Sequence, residues 1–314
     1  MGNIFSCFTP TNEVTKPLIT DVESFENFNL TGSCRPQKIF NEKSLNNPTC
    51  VFPNIGIQYN QNSCYFDCVV MLFFGCNNHR FLHLLKDNPT GSLGHMILTQ
   101  VVEPLQSRKY VPSSAYEQIR QKIMELTKNY DFLNRSMDIA DLLNALDDHI
   151  PSWKLCSYTS STNVILSPLS VIMGGINELT PVSYLKTLTF SNSTSGFFIQ
   201  LTNKSDIAMD HTVKFDDKSS KKFVLKGLIS RNSSPHFTCF IYDEIKQYWI
   251  FFDDNGTSDH NGCVPVVIQL PSSFQKYLVG GCIDDSLIQI TDEKGISITV
   301  RVNQSVFAFY SIID

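Results

Sequence analysis

Between Gln61 and Phe74 a polar loop, Gln61-Asn62-Ser63, runs straight into an apolar block, with Cys64 at the seam and Val69-Val70-Met71-Leu72-Phe73-Phe74 completing the block. No other stretch constrains the fold as much, because such a run must be buried and its polar approach marks where it starts. Read as a helix, it places Cys64 in the first turn. There the N–H groups without intrahelical acceptors and the positive end of the dipole favour a thiolate, the reactive form of cysteine. A core cysteine at the head of a hydrophobic helix would have the same local sequence. The feature that separates the two readings lies far downstream, at Ser234-Pro235-His236.

The chain has 314 residues, 42% of them hydrophobic and 18% charged, enough apolar material for one large or two modest cores. A net charge of −5, a pI near 5.8 and the lack of any Lys/Arg run weigh against a nucleic-acid partner. The longest wholly apolar run, Val69 to Phe74, is far short of a membrane span, and no apolar segment of the signal-peptide kind follows the N-terminus. The ten cysteines are therefore expected to be reduced thiols in the cytosol, and matches such as Asn255-Gly256-Thr257 to be unglycosylated. Cys64 and Cys68 followed by His79 and His83 resemble the ligand pattern of a small zinc finger. The ten residues between the pairs, however, hold the apolar block, which reads as a helix where a finger needs a hairpin. No metal is expected.

The chain begins Met1-Gly2-Asn3-Ile4-Phe5-Ser6-Cys7, which fits the N-myristoylation pattern: Gly2 is exposed once the methionine leaves, and a serine stands four positions on. One myristoyl chain binds a membrane only marginally and needs a second signal. Lys16 is the sole basic residue before Arg35, so that signal falls to a palmitoyl group on Cys7. Dual acylation at Gly2 and Cys7 would hold an otherwise cytosolic protein at the cytoplasmic face of a membrane. Residues 8 to 50, rich in Asn, Thr, Ser, Pro and Glu without a sustained period, read as a flexible spacer. Residues 1–50 are thus expected to be an acylated tail and spacer, and 51–314 a folded domain.

Within that domain, 51–150 reads as helical. After the Cys64 helix comes a helical run near Gly94–Val102, expected to stop at Pro104. Ser114-Ala115-Tyr116-Glu117 has the form of a capping box, with Ile119, Ile123 and Leu126 repeating on one face behind it. Asp138 is the expected N-cap of a helix that buries Leu142, Leu143 and Leu146. Residues 151–314 change texture. Gly196–Leu201, Phe223–Ile229, Phe237–Tyr242, Tyr248–Phe252, Val264–Leu270 and Val306–Ile313 read as strands. No helical crossover spacing recurs between them, so a mostly antiparallel sheet is expected. Helices first and sheet second make an α+β fold, with a cleft between the lobes where Cys64 and His236 would meet.

His236 is expected to begin one strand, with Asp243-Glu244-Ile245-Lys246 as the turn and Tyr248–Asp253 returning. If Asp243 pairs with Lys246, His236 lies directly opposite Asp253, and cross-strand neighbours share a face at a Cβ separation of roughly 5 Å. A carboxylate there can hold the imidazole by one nitrogen while the other faces a thiol. Strand alternation would turn Asp254 to the opposite face. Combined with a helix-head cysteine, this is the nucleophile, base and orienter arrangement of a thiol hydrolase.

These same residues resemble a known family. Gly56-Ile57-Gln58 through Asn62-Ser63-Cys64-Tyr65-Phe66-Asp67 is similar to the cysteine box of the ubiquitin-specific proteases, most like their cylindromatosis-type (CYLD) branch. His236-Phe237-Thr238 with Trp249-Ile250-Phe251-Phe252-Asp253 resembles the family's histidine box, and Asp138–Leu143 its short acidic helix motif. Val264-Pro265 to Tyr277-Leu278 and the aromatic C-terminus follow the same branch. The resemblance spans about Val51 to Ile313. It implies a papain-like fold of helical thumb and sheet palm, and a thiol protease acting on ubiquitin or polyubiquitin. Cys64 would be the nucleophile, His236 the general base and Asp253 the orienter. Most members carry an asparagine five residues before the nucleophile to steady the oxyanion; Tyr59 stands there instead. Asn60, Asn62 or backbone N–H groups near Cys64 would have to serve. No Cys-x-x-Cys pair is present, so the resemblance implies no zinc module and no cofactor. The reading from another class is a ubiquitin-binding scaffold with a decayed site, which Tyr59 favours.

Overall fold

A computed structural model describes residues 56–57, 62–75, 80–107, 110–111, 113–134, 137–160, 171–172, 181–201, 207–231, 236–259, 262–270, 274, 278, 287–291, 297–301 and 305–312. Gly2, Cys7, the expected spacer, Tyr59, Asn60 and His79 lie outside the described residues. The fold is α+β. The helices are α1 (Cys64–Phe74), α2 (Leu93–Ile97), α3 (Glu103–Gln106), α4 (Ser113–Thr127), α5 (Asp131–Asn134), α6 (Ile139–His149) and α7 (Pro181–Leu185). Two short strands, β1 (Gly56–Ile57) and β2 (Tyr110–Val111), pair in parallel beside them.

The main sheet draws on β3 (Tyr158–Ser160), β4 (Val171–Ile172), β5 (Leu188–Phe190), β6 (Gly196–Gln200), β7 (Asp210–Phe215), β8 (Ser220–Arg231), β9 (Phe237–Asp243), β10 (Tyr248–Asp259) and β11 (Gly262–Gln269). After the separate hairpin of β12 (Leu287–Thr291) and β13 (Ser297–Arg301), β14 (Ser305–Ile312) completes it. Its order is β11-β10-β9-β8-β14-β6-β4, with β7, β5 and β3 branching from β8. Apart from β4 with β6 and β5 with β7, every pairing in it is antiparallel, as expected from strands without helical crossovers.

α1 is buried along its whole length, as its nearly unbroken apolar sequence demands. Its Phe73 sits among Phe81, Trp153, Phe198 and Phe309 at ring-centroid distances of 5.0 to 5.8 Å, mostly edge to face. Leu72 presses on Gly227 of β8. A Cβ built on Gly227 would collide with Leu72 Cδ1 and stand 3.2 Å from the Phe240 carbonyl oxygen, so any side chain here forces Leu72 to move. Gly227→Val is therefore expected to cost about 1–3 kcal/mol in chemical denaturation, and Leu72→Ala in the same chain to recover part of it. A denaturation midpoint unchanged by Gly227→Val would refute this seating of α1.

Local expectations met three tertiary corrections in the helical part. The run expected to stop at Pro104 continues to Gln106, because a π-helical stretch over Leu98–Val102 precedes α3 and Pro104 enters at its first turn, where its missing N–H is not needed. α4 begins at Ser113, so Ser114 lies inside the helix instead of capping it. Ile119 and Ile123 are buried, but Leu126 of the same row is exposed, since the row outruns the core. Asp138 does cap α6, accepting from the Ala140 N–H at 2.9 Å, and Leu142, Leu143 and Leu146 are buried. Among the described residues no helix is long and apolar enough to cross a membrane.

Candidate active site

Ser63 and Cys64 form the head of α1, and Asn62 turns the chain into it with a φ of 70°, a left-handed conformation asparagine tolerates. Ser63 does not cap the helix with its side chain; its Oγ donates to Asp67 Oδ2 at 2.5 Å one turn on. The backbone N–H groups of Phe237, the first residue of β9, and of Tyr65 lie close enough to the Cys64 sulfur to favour its thiolate. That contact brings the segment carrying His236 to the helix head. Nε2 of His236 lies 2.7 Å from Asp253 Oδ1 and 3.7 Å from Asp254 Oδ1. The imidazole is thus held by Nε2, and Nδ1 is the ring nitrogen turned from the carboxylates. Ligand-type atoms of His236, Asp253 and Asp254 all fall within 4.8 Å of one another.

The hairpin that makes this cluster is not in the expected register. Tyr248 pairs with Asp243 and Phe252 with Cys239, two residues away from the anticipated alignment, and His236 precedes the strand. Asp243 Oδ1 accepts the N–H groups of both Ile245 and Lys246, and Gln247 takes a φ of 59°, so the turn holds four residues. A shift of two preserves the face. His236 therefore meets Asp253 on a diagonal, not directly across. Asp254 was expected on the far face; it is instead buried beside the imidazole. β10 leaves β9 after Phe252, and its pairing with β11 slips between Asp253 and Thr257, which relaxes strict alternation at this point.

Electrostatics also depart from expectation. Burial first, and then whatever negative charge Asp254 carries, push the Cys64 thiol up to about 12 despite the N–H groups of Phe237 and Tyr65. The thiolate favoured by a helix head is not the resting form here, because desolvation outweighs the dipole. Burial also opposes charging of His236, but the hydrogen bond and charge of Asp253, with Asp254 behind, outweigh it and raise the imidazole pKa. Cys68, one turn after Cys64, is buried against Cys239 and its thiol is pushed well above the usual range. His83 is accounted for elsewhere, its Nδ1 on the Arg80 carbonyl at 2.9 Å.

No protein-family profile matches this sequence, and no curated protein does. Two solved structures align with most of this chain. A chain of the SAGA DUB module bound to monoubiquitin aligns with a TM-score of 0.48 and 10% identity over 84% of this chain and 70% of that one. The Saccharomyces cerevisiae Pan2 pseudoubiquitin hydrolase–RNA exonuclease module aligns with a TM-score of 0.47 and 14% identity. That match takes in 82% of this chain but only 54% of the other. With scores below 0.5, neither likeness bears on what this chain does.

Three participants were not legible as such in the sequence: the Phe237 N–H, Asp67 and Asp254. Asp67 had a signal, since a lone carboxylate inside Cys64-Tyr65-Phe66-Asp67-Cys68-Val69 must be buried with a partner. The Phe237 N–H had none, because it depends on how β9 meets α1.

Proposed function

We infer that this chain is a thiol protease that removes ubiquitin, cleaving after the C-terminal glycine, and that it works at a membrane held by acyl groups on Gly2 and Cys7. The observation that carries the catalytic reading is the arrangement at the head of α1: a cysteine whose sulfur faces the N–H next to His236, and a histidine gripped through Nε2 by Asp253 at 2.7 Å. The resemblance of the two boxes to the ubiquitin-specific proteases, most like their cylindromatosis-type branch, supplies the substrate class.

In this reading His236 takes the Cys64 proton on Nδ1 as the sulfur attacks the glycine carbonyl. The carbonyl reforms as the C–N bond breaks, His236 returns the proton to the departing lysine amine, and water hydrolyses the thioester to restore the thiol. Asp253 fixes the tautomer and angle of the ring. Because the resting thiol is neutral, proton transfer belongs to the attack itself.

The buried thiol, pushed up to about 12, favours a second reading, a ubiquitin-binding scaffold without turnover. Ubiquitin bearing an electrophile at its C-terminus separates the two. Covalent capture by the wild-type protein supports the protease; tight ubiquitin binding without capture supports the scaffold. For the anchor, the protein is expected to fractionate with membranes, Gly2→Ala to release it, and Cys7→Ser to weaken retention strongly, since one acyl chain binds only marginally. Membrane retention of Gly2→Ala would overturn the myristoyl assignment.

A further inference from the structure

Under the thiol lies a second pair of acidic groups that the triad does not use. Asp67 stands in the first turn of α1, and Asp254 follows Asp253 on β10. Both side chains are buried, and they lie within hydrogen-bonding reach of each other. Two carboxylates cannot make that bond, since neither owns a hydrogen and like charges in contact in a dry interior repel. Among the described residues, moreover, no donor reaches either oxygen of an ionised Asp254, or Oδ1 of Asp67. A buried carboxylate so bare of donors does not persist as an anion.

We propose that Asp254 is a protonated acid donating to the Asp67 carboxylate, and that this bridge ties the head of α1 to the strand carrying Asp253, positioning Cys64 against His236. The role in positioning rests on the reading of Cys64 and His236 as nucleophile and base.

The proton belongs on Asp254 because Asp67 already has what an anion needs. Burial pushes the Asp67 carboxyl up to about 7, but unlike Asp254 it accepts from Ser63 Oγ at 2.5 Å, sits in the first turn of α1 where the dipole favours negative charge, and feels the positive charge of Arg120. Facing the pair from α1 are the Cys64 and Cys68 thiols and the Tyr65 phenol, and from α4 the Tyr116 phenol. On the remaining side Asp254 has the carboxylate of Asp253 for a neighbour, which disfavours a second negative charge, while His236 favours one. Burial first, then the carboxylate of Asp67, and last that of Asp253 hold the proton on. The bond also keeps charge away from the sulfur. An ionised Asp254 is the strongest charge opposing a Cys64 thiolate, and as a neutral acid it opposes nothing. Asp254 is thus a positioning residue; it acts through Asp67 and the helix head.

The test uses the full chain and three readouts. Infrared spectra at about pH 8, where ordinary carboxyl groups are ionised, are expected to show a carboxylic-acid carbonyl band in the wild type that is missing from Asp254→Asn. Identical acid bands in the two proteins would overturn the proposal. Alkylation of Cys64 by iodoacetamide, followed against pH, requires no ubiquitin. Asp254→Asn, whose amide donates the same hydrogen bond, is expected to follow the wild-type profile, and Asp254→Leu to depart from it by at least about tenfold in rate, since displacement of a reacting group by an ångström costs on the order of a hundredfold. Equal departures by the two variants, both folded, would overturn the positioning role. Turnover of a fluorogenic ubiquitin substrate should fall about a hundredfold in kcat for Asp254→Leu, with most of it restored by Asp254→Asn. A wild type that turns over no ubiquitin substrate yet shows the band and the alkylation contrast would remove the protease reading and support the bridge.

Discussion

Cys64→Ala is expected to abolish capture by a ubiquitin–electrophile probe and to lower turnover of a ubiquitin substrate by about four orders of magnitude or more. Cys68→Ala should leave both largely intact. The two sulfurs lie one turn apart on α1, but their surroundings differ in kind. Cys64 faces the N–H groups of Tyr65 and Phe237 and neighbours the His236 segment, whereas Cys68 is buried against Cys239 within the core. A thiol without facing N–H groups or a neighbouring base has no route to a thiolate. The decisive readout is the site of the covalent adduct, by mass spectrometry. Adduct on any cysteine other than Cys64, or labelling that survives Cys64→Ala, would remove the nucleophile assignment. Folded wild-type protein that binds ubiquitin and is never labelled would establish the scaffold instead.

Asp253→Ala is expected to cost about a hundred- to a thousandfold in kcat with little change in ubiquitin binding, because the 2.7 Å bond to His236 Nε2 is what sets the tautomer and angle of the ring. Asp253→Asn loses the charge and can turn its amide N–H toward Nε2, holding the wrong tautomer, so its loss should be severe as well. The acid limb of the pH–rate profile should move with it. Asp253 raises the His236 pKa against the opposing effect of burial, so the imidazolium persists to higher pH in the wild type. Removing the carboxylate lowers that pKa, and the acid limb shifts to lower pH. Asp254 stands only slightly farther away, at 3.7 Å, and as a proton-bearing group it would supply no such charge. If Asp254→Asn proved the more damaging substitution and Asp253→Ala the milder, the orienting role would pass to Asp254.

Much of the framework was readable locally. An apolar block entered from a polar loop makes a buried helix with Cys64 at its head wherever it is placed, and Asp138 caps its helix through its own next turn. Six strands between Gly196 and Ile312 announced themselves by β-branched and aromatic content, whereas the more polar β7, β12 and β13 did not. Faces were legible as well. Because side chains alternate with period 2, an alignment wrong by two residues still puts His236 and Asp253 on one side. Register itself was not legible. It depends on a four-residue turn in which Asp243 takes two N–H groups and Gln247 turns left-handed, neither of which apolar patterning encodes.

What the amino-acid order determined by itself, then, is which segments form, which of their faces go inward, and that a cysteine, a histidine and an aspartate stand at the ends of elements able to converge. These follow from periodicity, capping and turn chemistry, which act within a few residues of the chain. Tertiary structure alone decided the ionisation of the site. Cys64 is a neutral thiol despite its helix head because the sheet seals it from water, and Asp254 is buried against Asp67 because β10 slips from its neighbours after Phe252. Desolvation and the meeting of two carboxyl groups 187 positions apart in the chain are properties of the packed interior, and no local pattern records them.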